Sequence, residues 1–523
     1  MTTLCLAALG IMLTLLVQAV VQAAPFSLPR PSATQLNFMA NGMTQFMHFG
    51  MCTFHGCQQN SPFFPASTFN PTLADTDQWA RIAKSWGAGR VCLTVRHTGG
   101  FALWPSRVYN YSIASSPYQN GTGDIVRDFV ASCQKYDVEP CFYFIPSWNN
   151  YVTSGLNITD PAEYVEIEIA LLQELLTQYG PIARIWLDNF LLDATTCQPA
   201  PNQNAAFVGH ALMSTWSQII GAAQLVSPNT FLFPGPGGCL NPGEAGAGVY
   251  PTWDYQRGPA VYWSCANAAP TTSDAGYFSI VHESVISVLN PGDNFFWDAA
   301  DPILPADQIF AHYTLSVGQG SNFNLNVPPD RTGSIPEAIL EQVSAFSNMV
   351  KETYDNPVAI TPGLPLSAPC PELVVGLDLP SGVLWDQIVL AEDMATGPQL
   401  ISAYHFEARN ATDDTWYRVT GTGFHGLTVG YRVVDWGFAA AAALQPDAIR
   451  FVCDKSIDDT QPVTLSQFGV YIGRMGASEA LDKYLGYDGL WATSDGRQAT
   501  LASSGAAAAA AEAAGPEPTE DNI

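Results

Sequence analysis

The chain is poor in basic residues. Lysine and arginine together number 20 among 523 residues, against 47 aspartates and glutamates, which gives a formal net charge of −27 at pH 7. A charge of this sign repels nucleic acids and anionic membrane surfaces, so neither is expected as a partner. We expect a neutral substrate instead, and an acidic working compartment would suit such a composition.

The chain also lacks the histidine and cysteine spacing of a zinc site, so we assign it no metal and no cofactor. Only one segment, Leu4 to Val21, approaches the ~18 uninterrupted apolar residues that a membrane span needs. The small residues that follow it, up to Pro25, are typical of a signal-peptide cleavage site. We therefore expect residues 1–24 to be a signal peptide and the protein to be secreted or lysosomal or vacuolar. A membrane anchor is the alternative.

Signal cleavage would remove Cys5 and leave ten of the eleven cysteines, an even number in an oxidising compartment. Several disulfides are therefore plausible, and Cys52 with Cys57 is the best local pair. Four Asn-X-Ser/Thr tripeptides would make the protein a glycoprotein if its source is eukaryotic. They begin at Asn110, Asn120, Asn157 and Asn410.

Strand and helix patterns alternate along the first two thirds of the chain. Apolar strands separated by amphipathic helices predict a parallel sheet. About eight strands over this length are typical of a (β/α)8 TIM-like barrel, which we place at 25–365. A doubly wound sheet would require a glycine-rich phosphate turn after its first strand, and residues 50–55 have none. The predicted strands are 45–50, 90–96, 139–145, 182–188, 230–233, 277–282 and 322–327, and the predicted helices 76–88, 124–136, 161–180, 205–224, 306–317 and 337–354.

Beyond 362–365 the pattern changes to short alternating strands separated by closely spaced turn residues. This predicts an antiparallel β-sandwich at 366–476. Residues 477–523 are Ala-rich and acidic, a low-complexity tail that is not expected to pack into a core. The fold class is therefore α/β, with a barrel followed by a β-sandwich.

The apolar segment Ile185–Leu187 ends abruptly in Asp188. If it is a parallel strand of the barrel, Asp188 lies at the carboxyl end of the sheet, where the βα loops shape a cleft. We expect the chemistry there. The structural alternative is an aspartate that caps the following loop or helix.

Several stretches, taken in chain order, resemble glycoside hydrolase family 29, the α-L-fucosidases, in the subgroup with a C-terminal β-sandwich. Leu93–Trp104 is similar to a family segment with two consecutive histidines, and Ile185–Asn189 is similar to the strand that carries the nucleophile. The full set is Phe46–Gly50, Phe69–Pro71, Asp77–Ala80, Gly87–Ala88, Leu93–Trp104, Ile185–Asn189, Asn324–Asp330 and Gly333–Pro336.

The resemblance implies hydrolysis of a fucosylated glycan by a retaining mechanism, with one carboxylate as nucleophile and a second carboxyl ~5 Å away as acid and base. It assigns Asp188 as the nucleophile and Glu244, in the loop 233–244, as the acid/base, with Glu283 in reserve. It implies that His48 and His97 donate hydrogen bonds to sugar hydroxyls. The remaining substrate-binding candidates are Trp104, Tyr143, Glu283, Phe296 and Trp297.

The sequence departs from the family pattern at several polar positions. Thr98 and Gly99 replace a histidine and an acidic residue, Gln58 or Gln59 stands where a glutamate is expected, and an arginine is missing near 239–240. Each hydrogen bond to a buried group is worth ~1–3 kcal/mol, so these changes favour a different substrate or a catalytically weak or inactive carbohydrate-binding relative as the alternative. The sequence does not indicate an oligomeric state.

Overall fold

A computed structural model describes most of the chain between Arg30 and Gly473. The described residues are 30–57, 63–146, 149–188, 219, 221–223, 225–233, 239–240, 253–254, 258–259, 262–264, 277–279, 281–289, 295–424, 426 and 429–473. The expected signal peptide and tail lie outside these ranges, as do Glu244, Gln58 and Gln59. None of the described helices is long and apolar enough to span a membrane.

The first half of the chain builds a parallel sheet. Its strands are β1 Met43–Met47, β2 Arg90–Arg96, β3 Glu139–Phe144, β4 Arg184–Leu187, β5 Phe231–Phe233, β6 Cys239–Leu240, β7 Val281–Ser287 and β8 Asn322–Asn326. They are hydrogen-bonded in the order β5-β4-β3-β2-β1-β8-β7-β6, and every neighbouring pair is parallel. The predicted parallel α/β architecture is confirmed to this extent. The complete (β/α)8 barrel stays a prediction.

The sheet is strongly curled. Arg184 of β4 and Glu283 of β7 are separated by four strands in the sheet, yet their side chains form an ion pair with an Nη1–Oε2 distance of 2.5 Å. Such a contact is possible only if the inner faces of the two strands turn toward each other. Parallel strands that are buried on both faces need apolar cover from helices, and β2 is buried along its whole length.

The connecting helices begin at recognisable caps. The Asp75 carboxylate accepts a hydrogen bond from the backbone N–H of Gln78 at the start of one helix. The Asp124 carboxylate accepts one from the backbone N–H of Arg127 at the start of the next. The helices are α1 Ala33–Asn41, α2 Met51–His55, α3 Thr76–Trp86, α4 Ile125–Lys135, α5 Pro161–Gln178, α6 Ala306–Ser316 and α7 Glu337–Tyr354.

Two strand predictions require correction. The first strand lies at 43–47 and not at 45–50, so His48 follows the strand. The strand predicted at 277–282 divides in two: Tyr277–Ser279 pairs antiparallel with Tyr262–Ser264, and the parallel strand β7 begins only at Val281. A second short antiparallel pair joins Trp253–Asp254 to Gly258–Pro259.

The later part of the chain forms two antiparallel sheets, as the alternating pattern predicted. The strands are β9 Ala359–Ile360, β10 Leu366–Ala368, β11 Val374–Asp378, β12 Gln387–Glu392, β13 Ile401–Arg409, β14 Trp416–Val419, β15 Val433–Trp436, β16 Ala448–Ser456 and β17 Val463–Tyr471, with a short helix α8 Ala439–Ala443. One sheet has the order β9-β17-β12-β15 with β10 beside β17, and the other β11-β16-β13-β14. Phe468 of the first sheet packs on Phe406 and Phe451 of the second.

The described residues fall into two compact units. The first contains those up to Leu304, together with Leu315–Ser347 and Asp393–Gln399. The second contains Pro305–Thr314, Asn348–Glu392 and those from Leu400 on.

Three disulfides link described cysteines. The predicted Cys52–Cys57 bridge is confirmed. Cys92 and Cys141 are direct partners on β2 and β3 and are also bonded, and Cys370 is bonded to Cys453 in the second unit.

Candidate active site

Asp188 lies immediately after β4, at the carboxyl end of the parallel sheet. Its amide donates to the Phe144 carbonyl over 3.1 Å, which extends the pairing of β4 with β3 by one residue. Its side chain is partly exposed, and its Oδ2 atom accepts a hydrogen bond from the Tyr143 hydroxyl. A carboxylate that is fixed by the sheet and reachable from solvent is suited to react with a bound substrate.

Tyr143 is positioned by rings on the neighbouring strands. It is the register partner of Trp186 on β4, and the two rings stack with centroids 5.5 Å apart. On its other side the His97 ring stacks at 5.3 Å. The phenol is therefore held between two flat rings, and its hydroxyl points at Asp188.

His48 and His97 follow β1 and β2 directly, so they share the edge of the sheet with Asp188. Their ring centroids are 6.0 Å apart. Burial lowers the pKa of His97 to about 3. Burial also holds the pKa of His48 well below its ordinary value, and the nearby His97 lowers it further. Burial thus favours the neutral form of both imidazoles.

The tautomer of His48 follows from its partner Asn326. The Asn326 amide nitrogen donates to Ser287 Oγ over 2.9 Å and to the Phe295 carbonyl over 2.7 Å. Its Oδ1 therefore faces His48, where it accepts from the backbone amide at 3.2 Å and from Nδ1 at 2.9 Å. With Nδ1 protonated, Nε2 of neutral His48 is an acceptor. His48 would accept from a sugar hydroxyl, whereas the sequence led us to expect a donor.

Phe296 forms one wall of this site. Its ring stands edge-on to His48 at 5.3 Å and to His97 at 5.0 Å. It is buried, and Trp297 beside it is half-buried. The cluster of His48, His97, Tyr143 and Phe296 thus offers apolar ring surface together with a few directed polar atoms, the usual composition of a small-molecule site.

Glu283 has different surroundings. Its carboxylate is fully buried and pairs with Arg184 through both oxygens, at 2.5 and 3.0 Å. Oε1 also accepts from the Trp186 indole at 3.0 Å and from Asn324 Nδ2 at 3.1 Å. These contacts favour a scaffold role for Glu283. Its assignments as a sugar ligand and as the reserve acid/base stay predictions.

Trp104 is also held away from solvent. It is fully buried, and its indole N–H donates to Glu174 Oε2 over 3.0 Å. The described ring contacts of His48, His97 and Tyr143 do not include it, so its proposed packing on a sugar stays a prediction. Glu244, the candidate acid/base, lies outside the described residues.

The residues that sequence reasoning missed are mainly the partners of these groups: Arg184, Trp186, Asn324 and Asn326. Asn324 and Asn326 gave the clearest signal, because two asparagines at alternate positions of a fully buried strand must find polar partners inside the protein. At the changed family positions, Thr98 is buried, and a side chain added at Gly99 would meet open space. Among the described residues no group of His, Cys, Asp or Glu could hold a metal ion.

The chain is similar to several known proteins. The family model described as alpha-L-fucosidase matches residues 38–219. A protein of Arabidopsis thaliana named alpha-L-fucosidase 1 is 28% identical over 482 residues, which is 86% of this chain and 89% of that protein. The crystal structure of a putative alpha-L-fucosidase from Bacteroides ovatus is 25% identical, with a TM-score of 0.68 over 85% of this chain and 74% of that one. A glycoside hydrolase 29 family member from a rumen bacterium has a TM-score of 0.70 at 21% identity, over 86% of this chain and 78% of that one.

Proposed function

Since this chain belongs to the α-L-fucosidase family of glycoside hydrolases, we propose that it removes terminal fucose from fucosylated glycans with retention of anomeric configuration. The observation that carries the proposal is the partly exposed Asp188 carboxylate, which receives the Tyr143 hydroxyl beside two neutral imidazoles.

The reaction has two balanced steps. In the first, an Asp188 oxygen forms a bond to the anomeric carbon while the bond to the leaving oxygen breaks, and that oxygen takes a proton from the acid, which we assign to Glu244. In the second, the Glu244 carboxylate takes a proton from water as the water oxygen attacks the anomeric carbon. Asp188 leaves as a carboxylate and Glu244 is protonated again.

The surrounding side chains would orient the sugar. Neutral His48 accepts a hydroxyl proton at Nε2, and Phe296 packs against the apolar side of a deoxy sugar. The Tyr143 hydroxyl holds the Asp188 carboxylate in place through its hydrogen bond to Oδ2. Such preorganisation reduces the entropy lost on reaching the transition state.

The same proposal includes the closure of the barrel, the location of the protein and the bounds of its domains. We infer that the sheet closes between β5 and β6 into a (β/α)8 barrel, and that residues 1–24 direct the protein to a secreted or a lysosomal or vacuolar location. The fucosylated glycan is the proposed partner. The proposed domain bounds are 25–365 for the barrel, 366–476 for the sandwich and 477–523 for the tail.

The test is to incubate the purified protein with fucosylated oligosaccharides and to follow the products by proton NMR. Free fucose that first appears as the α anomer supports hydrolysis with retention. Fucose that first appears as the β anomer rules out the two-step mechanism. If oligosaccharide binds and no fucose is released, the alternative of a silent carbohydrate-binding protein, favoured by Thr98 and Gly99, is correct.

A further inference from the structure

Three aromatic side chains lie on the connections that follow the first three strands of the parallel sheet. Phe63 follows β1, Tyr111 follows β2 and Tyr151 follows β3, so all three lie on the carboxyl side of the sheet, as Asp188 does. Their ring centroids are 5.5 Å apart for Phe63 and Tyr151, 6.0 Å for Phe63 and Tyr111, and 4.5 Å for Tyr111 and Tyr151. We call these three residues the aromatic rim.

The rim is held in place by specific contacts. Tyr111 is buried, and its hydroxyl donates to the Phe64 carbonyl over 2.6 Å, which ties the Phe63 segment to the β2 connection. Tyr151 packs closely against Gly100 and Gly155. A Cβ at Gly100 would lie 2.6 Å from Tyr151 Cβ, and one at Gly155 would lie 2.5 Å from Tyr151 Cδ2. Any larger residue at either position would displace the ring.

The rim combines this rigidity with exposure. Phe63 is 41% exposed, and Tyr151 is half-buried. A phenylalanine held by two neighbouring rings and still open to water keeps apolar surface available to a ligand.

One rim residue, Tyr111, lines a cavity that also reaches the candidate active site. The cavity is also lined by Phe64, the residue next to Phe63, and by His97 and Phe296 of the site. His97 in turn stacks on Tyr143, whose hydroxyl contacts Asp188. The rim therefore meets the site through Tyr111, which packs against Phe63 and Tyr151 and shares a cavity with His97 and Phe296.

We propose that Phe63 and Tyr151 bind the sugar unit of the leaving group, with Tyr111 as the residue that positions them. The apolar face of a neutral pyranose packs on aromatic rings, and a chain of net charge −27 disfavours an anionic glycan. This inference rests on the proposed function, because it concerns the part of the same substrate that departs. The substrate class it names is a fucosylated oligosaccharide with a neutral sugar next to fucose.

The experiment compares two kinds of fucoside, which differ only in the leaving group. α-L-Fucosyl fluoride has no sugar that could reach the rim, whereas 2′-fucosyllactose and 3-fucosyllactose have one. For Phe63→Ala we expect kcat/KM to fall about five- to fiftyfold on the fucosyllactose that the wild type cleaves, mainly through KM, and to stay within about twofold on the fluoride. The matched control is Leu73→Ala. Leu73 is also an apolar side chain of the first unit and is 61% exposed, and its removal should leave kcat/KM unchanged on both kinds of substrate.

Tyr151→Leu should repeat the Phe63→Ala result. Equal loss on both substrates, or no loss on either, overturns the proposal. Binding of lactose alone tests the rim independently of hydrolysis. In a calorimetric or NMR titration the wild-type protein should bind lactose, and Phe63→Ala should bind it at least about fivefold more weakly. If the wild type cleaves neither substrate but lactose binding depends on Phe63, the proposed function fails and the rim is supported. If the wild type cleaves the fluoride and lactose binding ignores Phe63, the function stands and the rim is wrong.

Discussion

Two carboxylates in the parallel sheet lie in opposite environments. Inside the sheet, Glu283 is fully buried and is held by the Arg184 guanidinium and the Trp186 indole. At the carboxyl edge, Asp188 is partly exposed and receives the neutral Tyr143 hydroxyl. A charge taken out of water must be compensated by a cation, and once compensated it is a poor reactant. A charge at the edge keeps its reactivity because water and neutral donors stabilise it.

The neighbours of each carboxylate follow the same division. Around Glu283 the polar partners are fixed donors, among them Asn324. Around Asp188 the imidazoles of His48 and His97 are kept neutral, because burial lowers the pKa of both. The interior carboxylate is thus held in an ion pair, whereas the carboxylate at the edge accepts a hydrogen bond from a neutral phenol whose ring packs on two imidazoles with lowered pKa.

The largest expected effect is that of Asp188→Asn. The amide keeps the shape and can still bond to Tyr143, but it cannot attack carbon, so turnover should fall by about four orders of magnitude with stability unchanged. Steady-state kinetics and urea unfolding measure the two quantities. Asp160→Asn, which alters the cap of α5, is the matched control and should remain fully active. More than a tenth of wild-type activity in Asp188→Asn would remove this residue from the mechanism.

Glu283→Gln should show the reverse behaviour. It leaves the buried Arg184 charge without a partner, and breaking such a pair costs about 3–5 kcal/mol of unfolding free energy. Urea denaturation followed by tryptophan fluorescence measures this loss. Asp77→Asn is the control, because it breaks the exposed Asp77–Lys135 pair and should cost far less. Equal stability of the two variants would mean that the interior pair does not hold the sheet.

The second unit contains a buried carboxylate without a cation. Glu392 accepts from the amides of Leu400, Ile401 and Gly430 at 2.8, 3.0 and 2.7 Å, and burial raises its pKa to about 7. The folded state therefore binds this proton more tightly than the unfolded state. The contribution to stability is complete below pH 4.5 and is lost as the pH rises to 7, about 3 kcal/mol in all. Unfolding curves at pH 4.5 and 7 measure the change in unfolding free energy between the two pH values, and this change should differ by about 3 kcal/mol between the wild type and Glu392→Gln, because all other groups titrate in both proteins.

The fold was predictable where one residue pattern determined one element. The apolar run Arg90–Arg96 and the amphipathic run Glu337–Tyr354 are found with the predicted bounds. The first strand was misplaced because apolar residues continue through Phe49, although the strand itself ends at Met47. An apolar run therefore predicts that a strand is present more reliably than it predicts where the strand ends.

The candidate site was predictable to a similar degree. His48, His97 and Asp188 each stand at the end of a strand, and parallel strands bring such ends to one edge. The pairing of Glu283 with Arg184 was not predictable, because these residues are 99 positions apart and meet across the curled sheet. Sequence pattern gives the edge on which a side chain lies but not the group that it faces.

A smaller effect is expected from Tyr143→Phe. Removal of the hydroxyl takes one fixed donor from the Asp188 carboxylate, and loss of one such donor lowers kcat by about a hundredfold. Tyr179→Phe is a closely matched control, because the Tyr179 hydroxyl also bonds to an aspartate, Asp124 Oδ2 at 3.1 Å, at the start of α4. Kinetics on one substrate should separate the variants. If both retain wild-type kcat, the Tyr143 contact only supports the fold.

The smallest effect concerns the neutral imidazoles. Burial lowers the pKa of His97 to about 3. Between pH 6.5 and 3 the unfolded chain therefore binds a proton at His97 that the folded protein does not bind. Stability from this residue is therefore lost as the pH falls, and at pH 5 the loss is about 2 kcal/mol relative to pH 7. His97→Asn removes this titration while carboxylates elsewhere titrate as before. The difference in unfolding free energy between pH 7 and 5 should shrink by about that amount in the variant. An unchanged difference would show that the edge of the sheet tolerates a charged imidazole, and the contrast with the ion-paired interior would no longer hold.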